Sequence, residues 1–467
     1  MQKIRFGLLI STVFLAPLPA FAQSSQSLAM TIYGDNRALV EDVRDIDFKA
    51  GRNTIVLPNV SSQINAASAS FIADDIDIVE QNFDYDLLTP QKLMQKAVGK
   101  YVDIIRTNPG TGRETRERAK VLSVNNGVVV QIGSRIEVLR DDTLPTRVVF
   151  DKIPENLKAE PTLSVMVDSQ KAGRRPANLT YLTRGISWRA DYVLLFDEAD
   201  SLMNLQGWAT VTNNTQTTFK DVKTSLIAGH VGNQNRNRYN QYNRRYNQNG
   251  NVRRAGTEQS PQERIGDSYL YPLPGRTTIA SSQTKQIGFV DAAGVPAHKN
   301  YEYQAYGLNT LKDPVNADIR IVFSNSRAGG LGEALPKGTI RVYAKDKQGR
   351  AQFIGEDQIT HIPGGSELAL KIGEAFDVMV KPTIVSAEKL SNYKTDTTMK
   401  YAITNAQKKP VKVTIRQGLW KWSTEYKILS ESHKSRSPDA YSRVWTIDVP
   451  AEGEAELSFK VREEWIW

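Results

Sequence analysis

Thr339 to Lys345 alternates without a break: Ile340, Val342 and Ala344 fall on one side, Thr339, Arg341, Tyr343 and Lys345 on the other. A period of two is that of a strand with one buried face, and it cannot be wound into an amphipathic helix. Asp346-Lys347-Gln348-Gly349 follows as turn chemistry, with Gly349 free to take positive φ where the chain reverses. Ala351 to Ile354 then returns as the second arm of a hairpin. After Pro363-Gly364-Gly365, Leu368, Leu370 and Ile372 alternate with Glu367, Ala369 and Lys371. Gly373 breaks that strand, and Phe376, Val378 and Val380 start another. Residues 335 to 378 therefore predict three or four antiparallel strands in sequence order.

The same rhythm recurs along the chain. Residues 27 to 83 read as a meander of short strands, with Gly34-Asp35-Asn36 and Lys49-Ala50-Gly51 at the turns. Thr89-Pro90, then Leu93, Met94, Ala97 and Val98, then Gly99, marks the one convincing helix: Thr89 caps, Pro90 suits the first turn and Gly99 the left-handed exit. From Lys100 to Phe150 the strands Val121 to Val124 and Val128 to Ile132 flank Asn125-Asn126-Gly127, the favoured tight-hairpin chemistry. This stretch predicts a small barrel-like β-unit, with too few aromatics for a base-stacking platform, so nucleic acid is not expected. Strands resume from Leu163 to Ile227, where Trp188, Tyr192 and Trp208 read as core. From 383 onward, short alternating runs at roughly ten-residue spacing suit an immunoglobulin-like sandwich.

One segment breaks the pattern. Gly229 to Asp267 is poor in apolar residues and rich in Asn, Gln and Arg, and such a composition cannot bury enough surface to offset the entropy of ordering. It predicts a disordered loop. The formal net charge of +9 is concentrated there. With Lys3, Arg5 and Arg236, Arg238, Arg244, Arg245, Arg253 and Arg254 set aside, the remainder is nearly neutral. Arg236, Arg238, Arg244 and Arg245 interleave with Tyr239, Tyr242 and Tyr246, a combination suited to an anionic polymer such as lipopolysaccharide or acidic polysaccharide.

The first residues read as a secretory leader: a basic start at Lys3 and Arg5, an apolar run from Phe6 to Leu18, and Ala20-Phe21-Ala22 as the cleavage site. The run is shorter than a membrane span, and no later stretch approaches one. The chain has no cysteine. An exported protein so composed holds its core without disulfides, and thiolate zinc sites are excluded. The four histidines, His230, His298, His361 and His433, show no ligand spacing, so neither metal nor cofactor is expected. The expected location is the periplasm, with the outer surface or secretion as alternatives.

Acid–base chemistry has one candidate group. Glu356, Asp357 and His361, with Glu374 and Asp377 nearby, lie close in sequence and together offer the carboxylates and imidazole that hydrolysis or a divalent cation would need. The alternative is that they cap strand ends and satisfy backbone in turns. No nucleophile elbow, phosphate loop or zinc-protease helix is present.

Several segments resemble the bacterial domain-of-unknown-function 4139 family, whose relatives include mucoidy-inhibitor-like proteins. They are Leu335-Pro336-Lys337-Gly338-Thr339, Arg341-Val342-Tyr343, Phe353-Ile354-Gly355-Glu356-Asp357 with Ile359 and His361, and Gly373-Glu374-Ala375-Phe376-Asp377-Val378. Two earlier segments, Ile186 to Tyr192 and Trp208 to Asn214, agree. The resemblance covers roughly residues 180 to 467 and implies a β-rich exported protein without an assigned activity.

Together these readings predict a mainly β, multi-domain chain with one short helix. Its expected parts are a leader at 1–22, an N-terminal β-domain at 23–160 with a small β-unit at about 100–150, a central sandwich at 161–382 containing the disordered loop at 229–267, and an immunoglobulin-like sandwich at 383–467. The expected function is non-enzymatic binding of an envelope protein or polymer. The alternatives are a hydrolase or metal-dependent enzyme using Glu356, Asp357 and His361, and anionic-polymer binding through the Arg/Tyr loop.

Overall fold

The structure, a computed structural model, describes residues 25–84, 88–125, 127–139, 145–154, 157–229, 251–259, 261–419 and 424–465. The expected leader, the Arg/Tyr cluster from Arg236 to Tyr246, and Ile466-Trp467 lie outside the described residues. The fold is mainly β with one short α-helix, Pro90–Lys96. No helix among the described residues is long and apolar enough to cross a membrane. Two compact units emerge, and the chain passes between them more than once. The first takes residues 39–184 and 215–222 with the strand residues up to Ala29; the second takes 30–38, 185–214 and 223–467.

The strand Arg37–Phe48, which enters the first unit at Leu39, buries every second residue. Ala38, Val40, Ile46 and Phe48 line the inward side, and Asp42 and Arg44 share it as a buried ion pair at 2.7 Å. Gly51–Pro58, Thr162–Ser169 and Ile76–Asp84 form a three-stranded antiparallel sheet. The unit expected at 100–150 is an open five-stranded antiparallel sheet, ordered Thr146–Val149, Tyr101–Thr107, Glu114–Ser123, Val128–Ile132, Arg135–Leu139. Its apolar side, Val102, Ile104, Ala119, Val121 and Val130, packs with Ala97 and Met94 from the helical segment. Thr89 Oγ1 accepts from the Lys92 N–H, as its capping role requires. Gly99 takes φ +81° at the exit.

The second unit is built on a long sheet path. It runs through Ala351–Ile359, Gly338–Lys345, Ile186–Asp197, Leu202–Asn213, Gln283–Ala305, Val315–Ser324, Glu367–Ser391, Lys394–Asn405, Gly453–Trp465 and Thr424–Glu431. The 335–378 hairpin forms as its alternation predicts, with Ile340 and Val342 fully buried and Asp346 Oδ1 accepting from the Gln348 and Arg350 N–H groups. Its far side differs from expectation: Gly338–Lys345 pairs in parallel with Ile186–Asp197. Parallel pairing needs a distant partner, so no local signal announces it.

Two strands are longer than their turn residues suggested. Gln283–Ala305 spans 23 residues and Glu367–Ser391 spans 25. The latter crosses both the break expected at Gly373 and the domain boundary expected at 382. Its register slips opposite Asn316 to Asp318, and the resulting bulge turns Phe376 out to 91% exposure while Val378 and Val380 stay buried. Gln283–Ala305 uses its first half against Leu202–Asn213 and its second against Val315–Ser324 and, in parallel, Val411–Gly418. Val411–Gly418 pairs in turn with Ser442–Val449. The core here holds Trp445 stacked on Phe459 at 4.7 Å, with Tyr401 donating its hydroxyl to Gln417 Oε1.

The disorder expected over 229–267 does not extend through its C-terminal part. Val252–Arg254 pairs with Leu368 and Glu367, Glu258 bridges Gly364, and Arg253 pairs with buried Glu302. Sheet hydrogen bonds and a buried carboxylate partner supply what apolar burial cannot, and composition alone does not report them.

Candidate functional site

Glu356 and Asp357 are neighbours on one strand, so their side chains leave opposite faces of the sheet. Glu356 is exposed, and its carboxylate lies 3.4 Å from Arg341 Nε. Arg341 also reaches Asp191, with Nη1 3.3 Å from Oδ1. Asp191 is buried, accepts from Thr210 Oγ1 at 2.6 Å and lies 3.1 Å from Arg189 Nε. Burial pushes the Asp191 carboxyl up, but Thr210, Arg341 and Arg189 outweigh it and hold the group below the usual carboxylate range. This is a cross-strand network that ties the parallel pair together.

Asp357 faces the other way. Its Oδ1 accepts from the Gln358 N–H and its Oδ2 from the Lys371 N–H, each at 2.8 Å. Both oxygens satisfy backbone, which is the structural role weighed against catalysis. His361 stands apart again: its Nδ1 accepts from the Lys337 N–H at 3.2 Å. Lys371 Nζ draws Glu374 at 3.9 Å and Asp318 at 2.6 Å. The carboxylate group read from the sequence therefore does not converge. Among the described residues no three His, Asp or Glu side chains are placed to hold a metal ion.

What the structure does bring together is a cavity of about 500 Å³ in the second unit. Trp188 and Arg189 come from Ile186–Asp197, Lys337 and Thr339 from the start of the central hairpin, and Gln358 and His361 from its end. Tyr33 and Asp35 close one side, and Gly229 lies in the wall where the Asn/Arg-rich segment begins.

The walls are held firmly. Trp188 Nε1 donates to the Ile227 carbonyl at 3.2 Å, and Tyr192, fully buried, donates its hydroxyl to the Pro336 carbonyl at 2.8 Å. Burial raises the Tyr192 pKa well above the ordinary phenol value, so the hydroxyl stays a donor. Phe289 meets Trp188, Tyr192 and Tyr271 edge-on at 5.9–6.4 Å, the favoured aromatic geometry. Gly338 is required for this closeness, since a Cβ there would lie 2.3 Å from the Ala190 carbonyl oxygen.

The polar groups on the walls divide into two kinds. Asp35 is occupied by Arg37, and Arg189 by Asp191. The Lys337 ammonium and the Gln358 amide have no side-chain partner among the described residues. Of these residues, sequence reasoning offered only His361 as a site candidate. Trp188, Arg189, Lys337 and Thr339 lie in segments that carry the family resemblance, but nothing in the sequence placed those segments around one cavity.

No curated protein matches the chain. The family model described as domain of unknown function (DUF4139) matches residues 177–465. That span holds Trp188, Arg189, Lys337, Gln358 and His361, and by it the chain belongs to the DUF4139 family.

Proposed function

We propose that this is an exported, non-catalytic binding protein of the cell envelope. Its ligand, in this reading, is a segment of an envelope protein or polymer that seats in the cavity between Trp188, Lys337 and Gln358. One observation carries it: segments far apart in sequence meet around one cavity whose Lys337 ammonium and Gln358 amide are left available. Aromatic walls with a few unoccupied polar groups suit recognition. The hydrolytic alternative loses support, because a base must reach its proton and Glu356 and Asp357 are engaged on opposite faces. Export rests on the leader-like start at residues 1–22. The immunoglobulin-like reading of 383–467 belongs to the same proposal, as a scaffold common in surface proteins.

The test is a photo-crosslinking amino acid at Gln358, with Ile136 in the first unit as the control position, in living cells. The expected result is a discrete adduct from position 358, absent from 136 and lost on Lys337→Glu. Equal labelling at both positions, or none at 358, overturns the reading.

A further inference from the structure

A second cleft, of about 830 Å³, lies elsewhere in the second unit and shares no residue with the cavity above. One of its lining residues, Arg253, belongs to a buried group with an imbalance of charge. Glu302 and Arg320 are 4% and 8% exposed. Arg253 pairs with one oxygen of Glu302, while Arg320 Nε lies 3.4 Å and Arg416 Nε 3.8 Å from the other. Three guanidiniums thus share one buried carboxylate. Asp318 lies 3.5 Å from Arg320, but it also holds Lys371 at 2.6 Å. Arg320 Nη1 donates to the Ala369 carbonyl at 3.3 Å, but among the described residues its buried Nε has no hydrogen-bond partner. Removing cations from water is costly unless enough acceptors replace the lost solvation, and here they are too few.

The excess positive charge opens onto the cleft. Arg253 lines it, together with His298, Lys412 and Arg436. The carboxylates of the walls do not neutralise them. Glu198 is held by Lys299 at 2.8 Å and by Lys409. Glu367 also lines the cleft and contributes one negative charge against this group. Lys412 has Asp448 at 3.8 Å, with both side chains largely exposed, a weak pair. Arg436 is exposed and has no ion-pair partner among the described residues. Desolvation depresses the Arg253 pKa, with Arg416 and Arg320 adding to the effect against the pull of Glu302. An anion arriving beside Arg253 would relieve that stress.

We propose that this cleft binds a multivalent oxyanion, a ligand carrying two or more phosphoryl or carboxylate groups, between Arg253, Lys412 and Arg436. Guanidinium presents a planar fork that matches either group. More than one group is required because the cations are spread around a cleft far larger than a single phosphate. Among the described residues of the Asn/Arg-rich stretch, Arg253 is tied to a buried carboxylate and lines this cleft.

Isothermal titration of the full chain with tripolyphosphate and, separately, with citrate tests the proposal. The expected result is binding in at least one arm, weakening as salt rises from 20 to 150 mM in the manner of a screened charge interaction. The double variant Lys412→Gln/Arg436→Gln should lose at least tenfold in affinity and keep the parent melting temperature, since both residues are at the surface. Lys49→Gln, an exposed position in the first unit and not part of the cleft, should bind as the parent does. Binding of tripolyphosphate alone assigns phosphoryl groups, and binding of citrate alone assigns carboxylates. Absence of binding in both arms, or an unchanged affinity in the double variant, overturns the proposal.

Discussion

Asp357 shows how a residue that looks chemical can be structural. Its two oxygens accept from two backbone N–H groups, Gln358 and Lys371, and it is 8% exposed. Those donors sit on separate strands, so one carboxylate holds Ala351–Ile359 to Glu367–Ser391. Asp357→Ala would leave both N–H groups without their acceptor, at a cost of about 1–3 kcal/mol for each group that stays buried. Urea unfolding at neutral pH should show a lower midpoint for this variant, with Glu356→Ala close to the parent because Glu356 is exposed. Equal losses from the two variants would remove the distinction. The sequence offered both carboxylates as one group because proximity in the chain was the only geometry it contained. The strand's own alternation, already legible, was the evidence that they separate.

Among the elements, the five-stranded sheet of the first unit divides into legible and illegible halves. Val102, Ile104, Ala119, Val121 and Val130 form the packed side, and Val121 and Val130 fall in the two runs read from the sequence as strands. Opposite them Asp103 accepts from Arg116 and from Arg118, and Arg118 continues to Asp151. These partners are 13 to 33 residues apart. Which charges meet depends on register, which a one-residue slip would reverse, so composition could not foretell the ladder. Hydrogen bonds from Arg116 and then Arg118 lower the Asp103 pKa, and a bond from Arg118 lowers that of Asp151. A depressed carboxyl stabilises the fold above its unfolded value, about 3.9, and the contribution disappears as pH falls through the folded value. Asp103→Asn should therefore be less stable than the parent at pH 7, with the gap narrowing below about pH 4. Urea midpoints at pH 7 and pH 3 read this directly; a gap of constant size would mean that charge plays no part.

The whole molecule is ordered by a chain that returns. Period-two alternation identified many of the strands, though not Tyr101–Thr107 or Val315–Ser324, and the absence of any strong helical run apart from Thr89 to Val98 identified the class. The sequence did not show the order of the units. Long-range partners such as Ile186–Asp197 with Gly338–Lys345 leave no local mark, and a division into consecutive domains was the simplest reading of turn residues. Residues 215–222 illustrate the consequence, because they follow a segment of the second unit yet belong to the first. There Phe219 and Val222 are buried, Thr217 Oγ1 donates to the Val60 carbonyl at 3.0 Å and accepts from the Ser62 N–H at 3.1 Å. Ser62 Oγ accepts in turn from the Gln216 N–H at 3.1 Å. A fragment of residues 23–184 contains the parts of the first unit that precede this return and lacks the return itself. It would expose the apolar surface that Phe219 and Val222 cover, about 1.5–3 kcal/mol for each such side chain, and leave Ser62 and Val60 without their partners. Against a total stability of roughly 5–15 kcal/mol, that loss is decisive. The fragment should show broad, poorly dispersed amide resonances and no cooperative melt, whereas residues 23–222 should recover dispersion for the first unit. A sharp, cooperative transition in the shorter fragment would mean that the unit closes on consecutive sequence after all.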